Sequence, residues 1–130
     1  MKEPHIKVII PAFNEANSIG RVIADIPKHV NEVIVVSNNS TDKTIAIAES
    51  AGATVLEENQ RGYGYACLKG LAYIKESLVK PDIIVFLDGD YSDYPEYLDA
   101  IVRPIIKCDV DLVIGARAKE LREDGSMTTP

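Results

Sequence analysis

Hydrophobic positions in this chain alternate between two patterns. Short apolar runs read as strands, the most continuous of them buried on both faces. They cover His5–Ile10, Glu32–Ser37, Ala53–Leu56, Ile83–Leu87 and Val110–Gly115. Between them, apolar residues recur every three or four positions, the spacing of one helix face. Ile19, Val22, Ile23 and Ile26 mark a first helix that Pro27 ends. A second runs from about Asp42 to Ala51, capped by Ser40 or Thr41 and closed by Gly52. Cys67, Leu71, Ile74 and Leu78 mark a third, stopped by Pro81, and Leu98, Ile101, Val102 and Ile105 a fourth. Strands separated by helices predict right-handed crossovers and a Rossmann-like α/β fold, three layers deep with a mainly parallel sheet. The periodicity stops after Arg117, so residues 1–117 are expected to form the core and 118–130 a charged tail.

Length and composition narrow this only modestly. At 130 residues the chain holds one domain at most, with an ordinary apolar content of 46%. A net charge of −6 without a basic stripe argues against nucleic acid as a partner. No apolar run is long enough to span a bilayer and no signal-peptide core opens the chain, which makes a cytoplasmic location the default expectation. Cys67 and Cys108 both fall in predicted helices and read as small buried hydrophobes.

The chemistry gathers where strands end. Ile83–Leu87 runs into Asp88-Gly89-Asp90. In open α/β sheets that edge binds ligands, and two carboxylates there suit a hard divalent cation. The same tripeptide also suits a plain turn, and Asp93 with Pro95 suits a helix start. A calcium hand fails, because Asp93 stands where its glycine belongs and Asp99 where its glutamate belongs. Two further strands end in polar clusters. Pro11-Ala12-Phe13-Asn14-Glu15 follows Ile10, and Pro11, unable to donate to a ladder, should end the strand. Ser37-Asn38-Asn39-Ser40-Thr41-Asp42 follows the second strand. A parallel sheet puts all three clusters on one edge, where convergence favours a polar ligand over three separate turns. Dinucleotide and P-loop fingerprints are both missing; Gly62-Tyr63-Gly64 lacks the third glycine, with Cys67 in its place.

In order, Val8–Glu15, Val35–Asp42, Arg61-Gly62-Tyr63-Gly64 and Leu87–Asp90 resemble the family two glycosyltransferases of the GT-A fold, across about residues 5–117. The Arg-Gly-Tyr-Gly segment and Gly125–Thr128 are similar to the branch near dolichyl-phosphate mannose and glucose synthases. The resemblance implies transfer of a sugar from a UDP- or GDP-linked donor, with inversion, using Mg²⁺ or Mn²⁺. Pro11, Ala12, Asn14 and Glu15 match the segment that holds base and ribose, and Asn38 the base-reading position, here an amide where relatives often carry an acid. Arg61 and Gly62 match the loop flanking the nucleotide. Asp88, Gly89 and Asp90 match the acidic motif facing ribose and diphosphate, the two acids being its catalytic pair. Asp90 and Ser92 match the metal contacts. His5 and His29 lie at the wrong ends of their elements to act as a base.

The resemblance also implies an acceptor, either a polyprenyl or dolichyl phosphate at the membrane surface, or a hydroxyl compound. Relatives continue well past the fifth strand, so the expectation is a fragment holding mainly the donor half. Arg117 would then open an acceptor loop, and exposed apolar surface could drive homodimerisation. A non-catalytic nucleotide-sugar-binding domain is the alternative. A nucleotidyltransferase is disfavoured, since its glycine-rich loop is missing.

Overall fold

Alternation along the strands sets the layering. A computed structural model describes residues 4–87 and Gly89, and contains β1 (Ile6–Ala12), α1 (Ile19–Asp25), β2 (Glu32–Ser37), α2 (Thr44–Ser50), β3 (Thr54–Glu57), α3 (Tyr63–Glu76) and β4 (Ile83–Phe86). The four strands form one parallel sheet in the order β3-β2-β1-β4. Successive β1 side chains point to opposite faces. Ile6, Val8, Ile10 and Ala12 join Ile19, Val22 and Ile23 of α1 and Ala48 of α2 in one core cluster. Ile9 joins Ile34, Val36, Phe86 and the α3 residues Ala66 and Ile74 in the other. Each fully buried Ile or Val contributes about 1.5–3 kcal/mol relative to an exposed one. The three-layer α/β/α arrangement expected from the sequence is the one observed.

Gly70 lets α3 approach the sheet closely. A Cβ there would stand 2.8 Å from Ile9 Cγ2, so any larger residue must displace the buried Ile9 side chain or α3 itself. Gly52 adopts φ 98 just past α2, the left-handed closing position expected of it.

Three local expectations need correcting. β1 does not end at Ile10 but continues through Pro11 to Ala12, paired with Val36 and Ser37 of β2. The cause is the side on which Pro11 lies. Ile9 accepts from the Leu87 N–H towards β4, while Ala12 accepts from the Asn38 N–H towards β2. Pro11, two residues from Ile9, faces β4 beyond the last pair, Ile9 with Phe86, so its missing N–H breaks no bond. Second, α2 begins at Thr44 and neither Ser40 nor Thr41 caps it; the Asp42 carboxylate accepts from the Thr44 N–H at 2.9 Å instead. Third, α3 ends at Glu76, before Pro81, and Leu78 lies outside it at 101% exposure rather than on its buried face. Cys67 is half-buried against the α3-side core. The helix expected around Leu98–Ile105, the strand Val110–Gly115, Cys108 and the tail 118–130 lie outside the described residues.

Candidate functional site

The loops that leave β1 and β2 are tied to each other before either meets a ligand. Asn14 and Asn39 adopt φ 51 and 66, left-handed values that asparagine tolerates better than most residues. This turns the Asn14 side chain across to the second loop. Its Oδ1 accepts from the Thr41 N–H at 2.7 Å and the Asp42 N–H at 3.3 Å, and Ser40 Oγ accepts from the Asn14 N–H at 3.0 Å. One residue on, the Glu15 N–H donates to Thr44 Oγ1 at 2.8 Å. The Thr44 hydroxyl donates to the exposed Asp42 carboxylate, which also accepts backbone N–H groups from Thr44 and Ala16. Those bonds, the Thr44 hydroxyl foremost, hold the Asp42 pKa below its ordinary value.

A second set of bonds fixes the segment between β3 and α3. The Asn38 amide donates to the carbonyls of Glu58 (3.1 Å) and Gln60 (2.7 Å), and its oxygen accepts from the Gly62 N–H at 3.0 Å. Both donors are engaged, leaving one lone pair on Oδ1 for any ligand. Asn39 adds a bond to the Asn59 carbonyl at 3.0 Å. Gly62 sits at φ 133, a conformation reserved for glycine, directly before α3.

Gly89 completes the edge. It is buried against the end of β1, where an added Cβ would meet Glu15 Cγ at 3.3 Å and Ala12 Cβ and Ile10 Cγ2 at 3.4 Å. The Ser18 hydroxyl donates to its carbonyl at 2.7 Å. These loops enclose a cavity of about 290 Å³ lined by Pro11, Ala12, Phe13, Glu15, Asn38, Tyr63, Ala66 and Gly89. A neighbouring depression of about 270 Å³ shares Phe13 and Asn38 and adds Asn39, Arg61 and Gly62. Phe13 and Tyr63, both lining this cavity, stand 51% and 52% exposed.

The structure therefore brings together Pro11, Ala12, Glu15, Asn38 and Gly89, with Arg61 and Gly62 alongside. Asn14 is not a lining residue; its side chain clamps the neighbouring loop. Asp88, Asp90, Ser92 and Arg117 lie outside the described residues. Phe13, Tyr63 and Ser18 went unassigned in the sequence, although Phe13 and Tyr63 stand inside the motifs themselves. The signal for Ser18 is fainter, a serine one residue before an apolar helix. His29 is exposed and His5 precedes β1, at the opposite edge from the cavity.

At that opposite edge the polar side chains bond to one another, beside a shallow depression of about 460 Å³ lined by Lys7, Glu32, Tyr73 and the segment after α3. Lys7, 6% exposed at its side chain, pairs with Glu32 at 3.0 Å, whose other oxygen accepts from Tyr73 (2.6 Å) and Thr54 (2.8 Å). Burial pushes the Glu32 carboxyl up, but Tyr73, Lys7 and Thr54 together hold it below the ordinary value. The Glu32 bond, and then burial, raise the Tyr73 hydroxyl.

Comparison with known proteins decides the family. Residues 7–130 match the model of glycosyl transferase family 2. The chain belongs to that family. It is 34% identical to protein RfbJ of Shigella flexneri, covering 96% of this chain and 92% of RfbJ. It is 32% identical to glucosyl-3-phosphoglycerate synthase of Mycolicibacterium smegmatis, covering 93% of this chain and 43% of that protein. The Mycobacterium tuberculosis synthase, solved with Mn²⁺, UDP and glucosyl-3-phosphoglycerate, superimposes with a TM-score of 0.67 at 31% identity, over 78% of this chain and 39% of the synthase. The chain spans about half the length of the uncharacterized protein MJ1222 of Methanocaldococcus jannaschii, a further relative at 32% identity. The family assignment bears out the resemblance carried by the four motifs, and the GT-A-like α/β layering agrees with it; the dolichyl-phosphate branch stays an expectation. Among the described residues, no helix is long and apolar enough to cross a membrane.

Proposed function

We propose that this chain binds a nucleoside-diphosphate sugar at the C-terminal edge of its sheet and transfers the sugar, with inversion, to an acceptor. The observation that carries the proposal is the convergence of the three strand-end loops on one cavity with Gly89 in its wall. UDP is the favoured nucleotide, since it is the one bound in the mycobacterial synthase. The one lone pair left on Asn38 Oδ1 suits a ring N–H such as uracil offers. Phe13 and Tyr63 offer flat apolar surface for the base, and Arg61 a cation beside the adjoining depression.

The donor set fits a divalent cation. Asp88, Asp90 and Ser92 offer only oxygen, the chemistry Mg²⁺ and Mn²⁺ require, and the flanked residue Gly89 lies in the cavity wall. Asp90 and Ser92 would hold the ion, with Asp88 assisting. Bound there, it would offset the negative charge that builds on the diphosphate as it leaves. An acceptor that is already an anion, such as a polyprenyl phosphate at a membrane surface, needs no protein base, whereas a hydroxyl needs one within hydrogen-bond reach.

Calorimetry with UDP-glucose and GDP-mannose, with and without Mn²⁺, tests the donor site. Metal-dependent binding of UDP-glucose is expected; no metal-dependent binding of either nucleotide contradicts the assignment. Transfer is assayed with polyprenyl phosphate and with phosphoglyceric acid as acceptors, and Asp90→Ala should reduce it at least a hundredfold, the usual scale for losing one transition-state contact.

A further inference from the structure

Ser18 is the residue that caps α1, yet it makes no side-chain cap bond. A serine in that place ordinarily accepts from an N–H in the first helical turn, a bond worth keeping for stability. Here the start of α1 is held by backbone alone: the Ser18 and Ile19 N–H groups both donate to the Glu15 carbonyl, at 3.0 and 2.8 Å. The hydroxyl carries one proton with two carbonyls in range, Gly89 at 2.7 Å and Glu15 at 3.5 Å. The shorter distance assigns it to Gly89, 71 residues away.

Gly89 is thus fixed from two directions. Ile10, Ala12 and Glu15 leave little room beside it, since an added Cβ would meet them at 3.3–3.4 Å, and Ser18 holds its carbonyl. That carbonyl carbon is bonded to the nitrogen of Asp90, so the Ser18 bond acts on the chain at the point where the acidic loop continues. We infer that Ser18 is a positioning residue for the acidic loop after β4, acting through the Gly89 carbonyl to set the loop's affinity for the cation. The inference rests on the donor-site function proposed above, in which Asp88 and Asp90 meet the metal-bound diphosphate.

The test titrates MnCl₂ into wild type, Ser18→Ala, Ser18→Cys and Ser18→Thr at fixed UDP, well below each protein's unfolding temperature. A parallel UDP titration in EDTA reports binding without metal. The cysteine, a near-isostere with a weak donor, keeps the test alive if the alanine variant folds poorly. Ser18→Ala and Ser18→Cys should raise the Mn²⁺ half-saturation concentration about tenfold, the scale of one ordinary hydrogen bond. Ser18→Thr should return it to within about twofold of wild type, and UDP binding in EDTA should be unchanged throughout. A folded Ser18→Cys with wild-type Mn²⁺ half-saturation overturns the role. So does an equal loss of UDP affinity with and without metal, which marks general damage to the fold. A wild-type chain that shows no metal-dependent UDP binding overturns the donor-site function itself, and the positioning role with it.

Discussion

The two edges of the same sheet use polar residues in opposite ways. At the N-terminal edge, Lys7, Glu32, Tyr73 and Thr54 bond side chain to side chain, and both Glu32 oxygens are taken. At the C-terminal edge, Asn14, Ser18 and Asn38 bond almost entirely to backbone carbonyls and N–H groups of neighbouring loops. The first arrangement consumes polar groups in one another and locks β1, β2, β3 and α3 together. The second consumes them in shaping loops, around a cavity whose lining includes Phe13, Glu15, Tyr63 and Gly89. Both edges border a depression, but only at the C-terminal edge do the side-chain bonds hold the loops that form its wall.

The contrast can be broken from either side. Lys7→Met should have the largest effect on stability, a loss of about 2–3 kcal/mol, because it leaves the Glu32 carboxylate without its ion partner. UDP affinity measured below the unfolding temperature should not change. Asn14→Ala should do the reverse in kind. It should cost about 1–2 kcal/mol, through the lost loop bonds and the left-handed backbone, and weaken UDP binding measurably although Asn14 does not line the cavity. A Lys7→Met variant that loses nucleotide affinity as Asn14→Ala does would show that the two edges are not separable.

The smallest expected effect is a pH dependence. The Glu32 pKa is lowered by folding, so its contribution is complete above its ordinary value of 4.5 and is lost as pH falls through the lower folded value. Denaturant unfolding of wild type and Glu32→Gln should therefore give a stability gap that holds at pH 7 and narrows below about 4.5. A gap that stays constant to pH 3 would mean the carboxylate's charge contributes nothing.

How much of this was legible in the sequence follows from which signals are local. The strand cores were, because unbroken runs such as Ile83–Leu87 admit little else, and so was the shared edge, since parallel strands place their ends together. Pro11 was misjudged because the harm a proline does depends on which neighbour its nitrogen faces, and that needs the strand order. Leu78 fell on a helical spacing that the chain abandons after Glu76. Ser18 and Asn38 were harder still. Their partners lie 71 and 20–24 residues away, and nothing in either residue's own neighbourhood announces them. Sequence motifs named the wall of the cavity; only the fold shows what holds the wall in place.

The most direct measurement is amide chemical-shift mapping of the chain titrated with UDP in the presence of Mg²⁺. Saturable shifts are expected at Ala12, Phe13, Glu15, Asn38, Gly62, Tyr63 and Gly89, and none at Lys7, Glu32, Thr54 and Tyr73. Shifts confined to the N-terminal edge, or no saturable shifts at either, would contradict a donor site at the C-terminal edge.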